Sequence, residues 1–253
     1  MRIEHLNLVI RPRHPYEAAD LGVTLMQHNG PAVYRVWLAL MLPLVGVMVW
    51  LEHLTGRLLG IGILWWLKPA FDYLALWILS RAVFGVRPTL REALAAFRGF
   101  PGAGLFGALT LRRFSLSRAY VLPVRLLEDQ KGLARDQRIA LIRKNQTGRA
   151  RWLIQIYMAA EMSVFIGLFS LVVWFAPAFQ SLDIVADFLN ANAGDWKRDL
   201  LVLIYGLSVT LVEPFYVASA FLLYLNRRTD LEAWDIEIAF RQLAQRLQTG
   251  GGH

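Results

Sequence analysis

The sequence predicts an all-α integral membrane protein: a helical bundle of about four transmembrane helices with amphipathic helices on its cytoplasmic side. Three observations predict it. The 253 residues are 56% hydrophobic with a mean hydropathy of +0.41, and only 18% are charged, where soluble domains carry about 25%. Four apolar stretches approach the roughly 20 residues needed to cross a bilayer. The charges are segregated: residues 81–151 hold fifteen Lys and Arg against four acids, whereas residues 176–199 hold four Asp against two basic residues. By the positive-inside rule the first block is cytoplasmic and the second external.

Other classes drop out on composition. There is no cysteine, which excludes disulfides and thiolate metal sites or nucleophiles. The net charge of +8 reads as topology and affinity for anionic lipid headgroups, not as nucleic-acid binding. No cleavable signal peptide is visible, because Arg11-Pro12-Arg13-His14-Pro15 falls where an apolar core would be needed.

In chain order, residues 1–31 form a cytoplasmic N-terminal segment. Pro15 suits a first helical position, Tyr16 to His28 forms a short amphipathic helix, and Asn29-Gly30-Pro31 stops it. Residues 32–85 form a transmembrane hairpin. Its first crossing, Val33 to Leu54, has Trp37 and Trp50 near its ends as belt residues, and its second runs from about Leu58 to Ser80. Residues 86–151 form the basic cytoplasmic or interfacial segment. There Thr89-Leu90-Arg91-Glu92 is a capping box opening a helix through Phe97. Gly99 to Leu111 is apolar and glycine-rich but too short to span, hence interfacial or re-entrant, and Leu126 to Arg149 reads as a basic helix. Residues 152–226 form the second transmembrane pair, about Trp152 to Phe175 and Leu200 to Leu225, around the acidic external loop. Residues 227–253 form a C-terminal helix and flexible tail. Thr229-Asp230-Leu231-Glu232 is a second capping box, and Ile236, Phe240, Leu243 and Leu247 make an apolar stripe that calls for cover.

The chain is organised around Trp65-Trp66-Leu67-Lys68-Pro69-Ala70-Phe71-Asp72. A lysine, a helix-breaking proline and an aspartate here fall within a membrane helix. Facing lipid would cost each charge roughly 2.5–3.5 kcal/mol on insertion scales. Lys68, Asp72, Glu161 and Glu213 therefore form a candidate intramembrane cluster, with helix breaks at Pro69 and Pro214. Two uses compete: Lys68 pairs with one or two acids and fixes helix register, or the acids relay protons or ions. The pair Glu213-Pro214 also resembles the broken helices of transporters, whose freed carbonyls line a cavity. Enzyme signatures are sparse: no two of the five histidines have metal-ligand spacing, and G-x-S-x-G is absent. No catalytic residue, metal or cofactor is assigned.

Four segments carry a resemblance: Arg11 to Gly22, Trp65 to Asp72, Leu79 to Gly85 and Leu225 to Glu237. Together they resemble a group of uncharacterised proteobacterial inner-membrane proteins encoded beside MoxR-type AAA+ ATPases, von Willebrand A-like proteins and other small membrane proteins. The tail is also faintly similar to the membrane domain associated with glycerophosphodiester phosphodiesterases, and Ala233 stands where the family pattern has glycine. The resemblance implies the bacterial inner membrane and, as company, a cytoplasmic MoxR-type ATPase and neighbouring membrane proteins. The expected function is a non-enzymatic subunit that anchors or regulates such an assembly. Its docking candidates are Arg227, Arg228 and the stripe Ile236, Phe240, Leu243 and Leu247. The alternatives are a small proton- or ion-coupled carrier and, third, a lipid-active enzyme; self-association stays open.

Overall fold

The computed structural model describes residues 13–83, 85–86, 88–102, 104–128, 130–175, 188 and 195–232. Among these the regular structure is all α-helical, without a strand: α1 (Pro15–Thr55), α2 (Leu59–Val83), α3 (Leu90–Ala96), α4 (Leu105–Leu109), α5 (Arg118–Leu126), α6 (Gly132–Arg143), α7 (Thr147–Phe175) and α8 (Trp196–Glu232). Four of them, α1, α2, α7 and α8, are long and apolar enough to cross a membrane.

The first helix opens as its sequence directs, with Pro15 in the first turn, where the missing N–H costs nothing. It does not stop at Asn29-Gly30-Pro31 but continues unbroken to Thr55, which merges the expected surface helix with the first crossing. A proline inside a helix costs about 3 kcal/mol. One face of α1, carrying Met26, Val33, Val36 and Trp37, is almost fully buried, and each such side chain contributes roughly 1.5–3 kcal/mol. Packing outweighs the local stop signal. The helix ends at Gly56, whose left-handed backbone (φ 58°) lets its N–H reach the Glu52 carbonyl.

The long helices α1 and α8 run antiparallel. The Arg13 amide and carbonyl bond the Asn226 side chain at 2.8 and 2.9 Å, and the Ser219 hydroxyl donates to the Ala19 carbonyl at 2.7 Å. Further along, Tyr34 donates to the Leu211 carbonyl at 2.7 Å. The backbones touch at Gly22, where an added Cβ would lie 2.4 Å from the Ser219 Cα.

Packed against both is α2, antiparallel to α1: Gly60 abuts the Met48 carbonyl, and Phe71 meets the Trp37 ring edge-on. Its residues from Lys68 to Ser80 are all buried, as befits a helix apolar all round at the centre of a bundle. Its start is capped from outside. The fully buried Glu52 of α1 accepts the N–H groups of Leu58 (2.7 Å) and Gly60 (3.1 Å), placing a carboxylate at the positive end of the helix. Most peripheral is α7. It packs along α8 and leaves Ile156, Met158, Met162, Ile166 and Leu171 exposed.

In the basic segment the Thr89–Glu92 capping box forms, with both reciprocal hydrogen bonds present, and α3 ends at Ala96. In place of one helix over Leu126 to Arg149, the shorter α6 starts at Gly132 and is followed by a turn at Asn145, both residues having positive φ. No second capping box forms at Thr229. With no breaker in reach, α8 runs through to Glu232, and the Thr229 hydroxyl donates back to the Leu225 carbonyl. The stripe Ile236, Phe240, Leu243 and Leu247 lies outside the described residues.

The contact at Gly22 gives the first prediction. Gly22→Ala lowers stability by about 1–3 kcal/mol through overpacking against the α8 backbone. Gly46→Ala, with nothing within 4 Å of the new Cβ, leaves stability unchanged or raises it by up to about 1 kcal/mol. Thermal unfolding of the two variants in detergent checks both.

Candidate functional site

The centre of the bundle is a five-membered ionic cluster built from four helices. Lys68 and Asp72, one turn apart on α2, reach in different directions. The Lys68 ammonium pairs with Glu161 of α7 and, at 3.0 Å, with Glu213 of α8. The Asp72 carboxylate takes the Arg118 guanidinium of α5 at 2.7 Å. A second Arg118 nitrogen approaches Glu213 at 3.6 Å, so Glu213 joins the two pairs. The structure thus brings together Lys68, Asp72, Glu161 and Glu213 and adds Arg118. Glu213 and Asp72 are almost fully buried, and none of the five side chains exceeds 13% exposure. At that burial an ion pair is strongly directional, and losing one member strands its partner.

The prolines serve the same centre. A proline in a helix leaves the carbonyl four residues back without its donor. For Pro214 that carbonyl belongs to Thr210, and it accepts the indole N–H of Trp37 at 2.9 Å. For Pro69 it belongs to Trp65, and it accepts from Arg113, whose guanidinium also lies 4.0 Å over the Trp65 ring. Both helices continue through their prolines. The carbonyl freed by Pro214 therefore holds a neighbouring helix. Trp37, expected as a belt residue at the interface, is fully buried for this reason.

Arg113 and Arg118 are not legible as cluster members from composition, which places them in the basic segment. A signal was present: from Ala93 to Leu127 there is no acid at all, so any buried arginine in that stretch must find its counter-charge on another element. The segment carrying them reaches far along α2. At 1.5 Å per residue, Trp65 lies roughly 27 Å of helix axis from Val83, and Arg113 touches it. Phe106, Leu111 and Phe114 of the same segment point outward, at 77%, 94% and 74% exposure, while Arg113 points in.

Arg227 and Arg228 lie at the end of α8. Arg227 donates to the Lys144 carbonyl, and Arg228 bonds Glu232 one turn on. Glu232 also pairs with Arg138 of α6, which holds Glu128 at 3.0 Å. Burial would lower the Arg138 pKa, but the hydrogen bonds to Glu128 and Glu232 raise it above the ordinary arginine value. This second network fixes the end of α8 on α6. Among the described residues no group of three or more His, Asp or Glu side chains is placed to hold a metal ion. No family model, curated protein or solved structure matches this chain.

The cluster predicts a strong coupling. Lys68→Met strands Glu161, leaves Glu213 with Arg118 alone, and lowers stability by about 3–5 kcal/mol. Adding Glu161→Gln recovers part of that loss, so the double variant is less impaired than the two single effects combined. Separately, Trp37→Phe leaves the Thr210 carbonyl unfilled and costs about 1–3 kcal/mol. Unfolding curves for this small set of variants decide both points.

Proposed function

We propose that the chain is a non-enzymatic subunit of the bacterial inner membrane that anchors or regulates a cytoplasmic, AAA+ ATPase-linked assembly, with both termini on the cytoplasmic side. One observation carries the reading. Each of the five buried charges at the centre is engaged by opposite charge from another helix, so the cluster is used in holding α2, α5, α7 and α8 together. Function then resides on the surface. There Arg91, Arg98, Lys131, Lys144, Arg149 and Arg151 remain exposed, a basic face that suits both the proposed orientation and an acidic docking partner. The Glu128–Arg138–Glu232 network supports the same reading, because it fixes the point from which the tail departs.

A second reading, a small proton-coupled carrier using Asp72, Glu161 and Glu213, is favoured by the charge balance. Lys68 and Arg118 face three carboxyl groups, and Asp72 lies within hydrogen-bonding reach of Glu213. Asp72 Oδ1 and Glu213 Oε1 are buried without a donor, and one proton between them would satisfy both.

The two readings part on two measurements. Truncation after Glu232 keeps the Arg138 pair and removes only the tail. The anchoring reading expects a MoxR-type ATPase to co-purify with the full chain and to be lost from the truncated one; equal recovery from both overturns docking through the tail. In proteoliposomes the same reading expects no proton flux. Flux through the full chain, abolished in a folded Asp72→Asn variant, would establish the carrier instead.

A further inference from the structure

Beside the ionic cluster, and sharing its Asp72–Arg118 pair as part of one wall, α2, α4, α5 and α6 line a cavity of about 30 Å³. One water needs roughly 10–15 Å³ by this measure, so the space takes about two water-sized groups, such as two oxygens of an oxyanion whose remainder lies outside it. Its polar lining is strongly one-sided: Arg112, Arg118, Arg125 and Arg143, with Ser115 and Tyr73. Asp72 is the single carboxylate on the wall, and it is already held by Arg118. That leaves three arginines which have no ion-pair partner among the described residues.

Their geometry brings them together. Gly104 and Gly107 make room for Arg112, whose Nη2 would lie 2.1 Å from a Cβ at position 107 and 3.2 Å from one at position 104. Arg125 Nη1 closes on the same point above Gly104, at 3.3 Å, and is a buried donor without an acceptor. Arg143 donates to the Ser115 hydroxyl at 3.3 Å and keeps a buried Nε likewise unfilled. Burial and the neighbouring Arg112 guanidinium hold both Arg125 and Arg143 below the ordinary arginine range. Arg112 spends one donor on the Gly104 carbonyl at 3.1 Å; like charges gathered at a cavity with further donors suit an anion, and the planar donor fork of arginine matches phosphate oxygens in particular. Arg125 also lines a larger adjoining groove of about 510 Å³, whose wall includes Trp77, Leu126, Lys131 and Arg135 and has room for the rest of a phosphate-bearing molecule.

We propose that this cavity is a phosphate-binding site in which Arg112, Arg125 and Arg143 hold the oxyanion and Ser115 contributes a hydroxyl. The phosphate belongs either to a membrane phospholipid headgroup or to a free anion. The proposal is separable from the docking and carrier readings, since Arg112, Ser115, Arg125 and Arg143 serve neither of them, although Asp72 and Lys131 stand on the adjoining walls.

The test uses the full chain purified in detergent, with thermal unfolding followed against sodium phosphate or, at equal ionic strength, sodium chloride. A parallel arm adds phosphatidylglycerol or phosphatidylcholine, and lipid retention is read by native mass spectrometry. A midpoint raised by phosphate over chloride identifies a free-anion site. A midpoint raised only by phosphatidylglycerol, with that lipid retained, identifies a headgroup site. In either case Arg112→Gln combined with Arg143→Gln weakens binding roughly tenfold or more. Gly107→Ala, which keeps every charge but displaces Arg112, also weakens it and serves where the double variant fails to fold. No response of the wild-type chain to either probe, or an equal response in the variants, overturns the proposal.

Discussion

A charge in the middle of this bundle demands an opposite charge, and that constraint decides which helices touch. Lys68 requires carboxylates, and they come from α7 and α8; Asp72 requires a cation, and it comes from α5. The same demand applies to the backbone. Pro69 and Pro214 each expose a carbonyl, and each is answered from another element, by Arg113 and Trp37. Between apolar helices in lipid the hydrophobic effect gives little preference for one neighbour over another. Specific polar demands of this kind therefore fix which helix faces which.

The arrangement divides the bundle into parts held in different ways. The α1, α2 and α8 core is joined by broad, close packing, with Gly22 and Gly60 allowing backbone approach. By contrast α7 lies at the edge and depends on a few directed contacts: Glu161 to Lys68, and the Tyr157 hydroxyl to Ser219 at 2.7 Å. Ser219 in turn bonds the Ala19 carbonyl, so a single hydroxyl joins α1, α7 and α8. The short α5 is buried almost throughout despite its place in a basic segment, because its arginine is needed at the centre.

Much of this was legible in the sequence, and the pattern of success is physical. Apolar runs of spanning length and an internal lysine are local signals, and they located the four long helices and the charges from Lys68 to Glu213. The Thr89–Glu92 box is equally local and forms as read. What escaped depends on contacts between distant residues. Arg118 meets Asp72 across 46 positions, and Trp37 meets Thr210 across 173; neither residue looks unusual beside its own neighbours. The stop at Asn29-Gly30-Pro31 and the fresh start at Thr229 failed for a related reason. Each was a sound local preference overruled by the packing or continuity of a long helix. The basic block misled in a subtler way, since its arginines divide between a water-facing set and an inward-facing set that composition alone does not separate.

The order of the partners along the chain has a consequence for biogenesis. Synthesis runs from the N-terminus, so Lys68 and Asp72 leave the ribosome well before any of their final partners. Arg118 follows 46 residues after Asp72, and Glu161 93 residues after Lys68. During that interval the first hairpin carries a cation and an anion that have only each other, one helical turn apart. A nascent chain in that condition has reason to stay beside the insertion machinery, sheltered from lipid, until the last helix arrives.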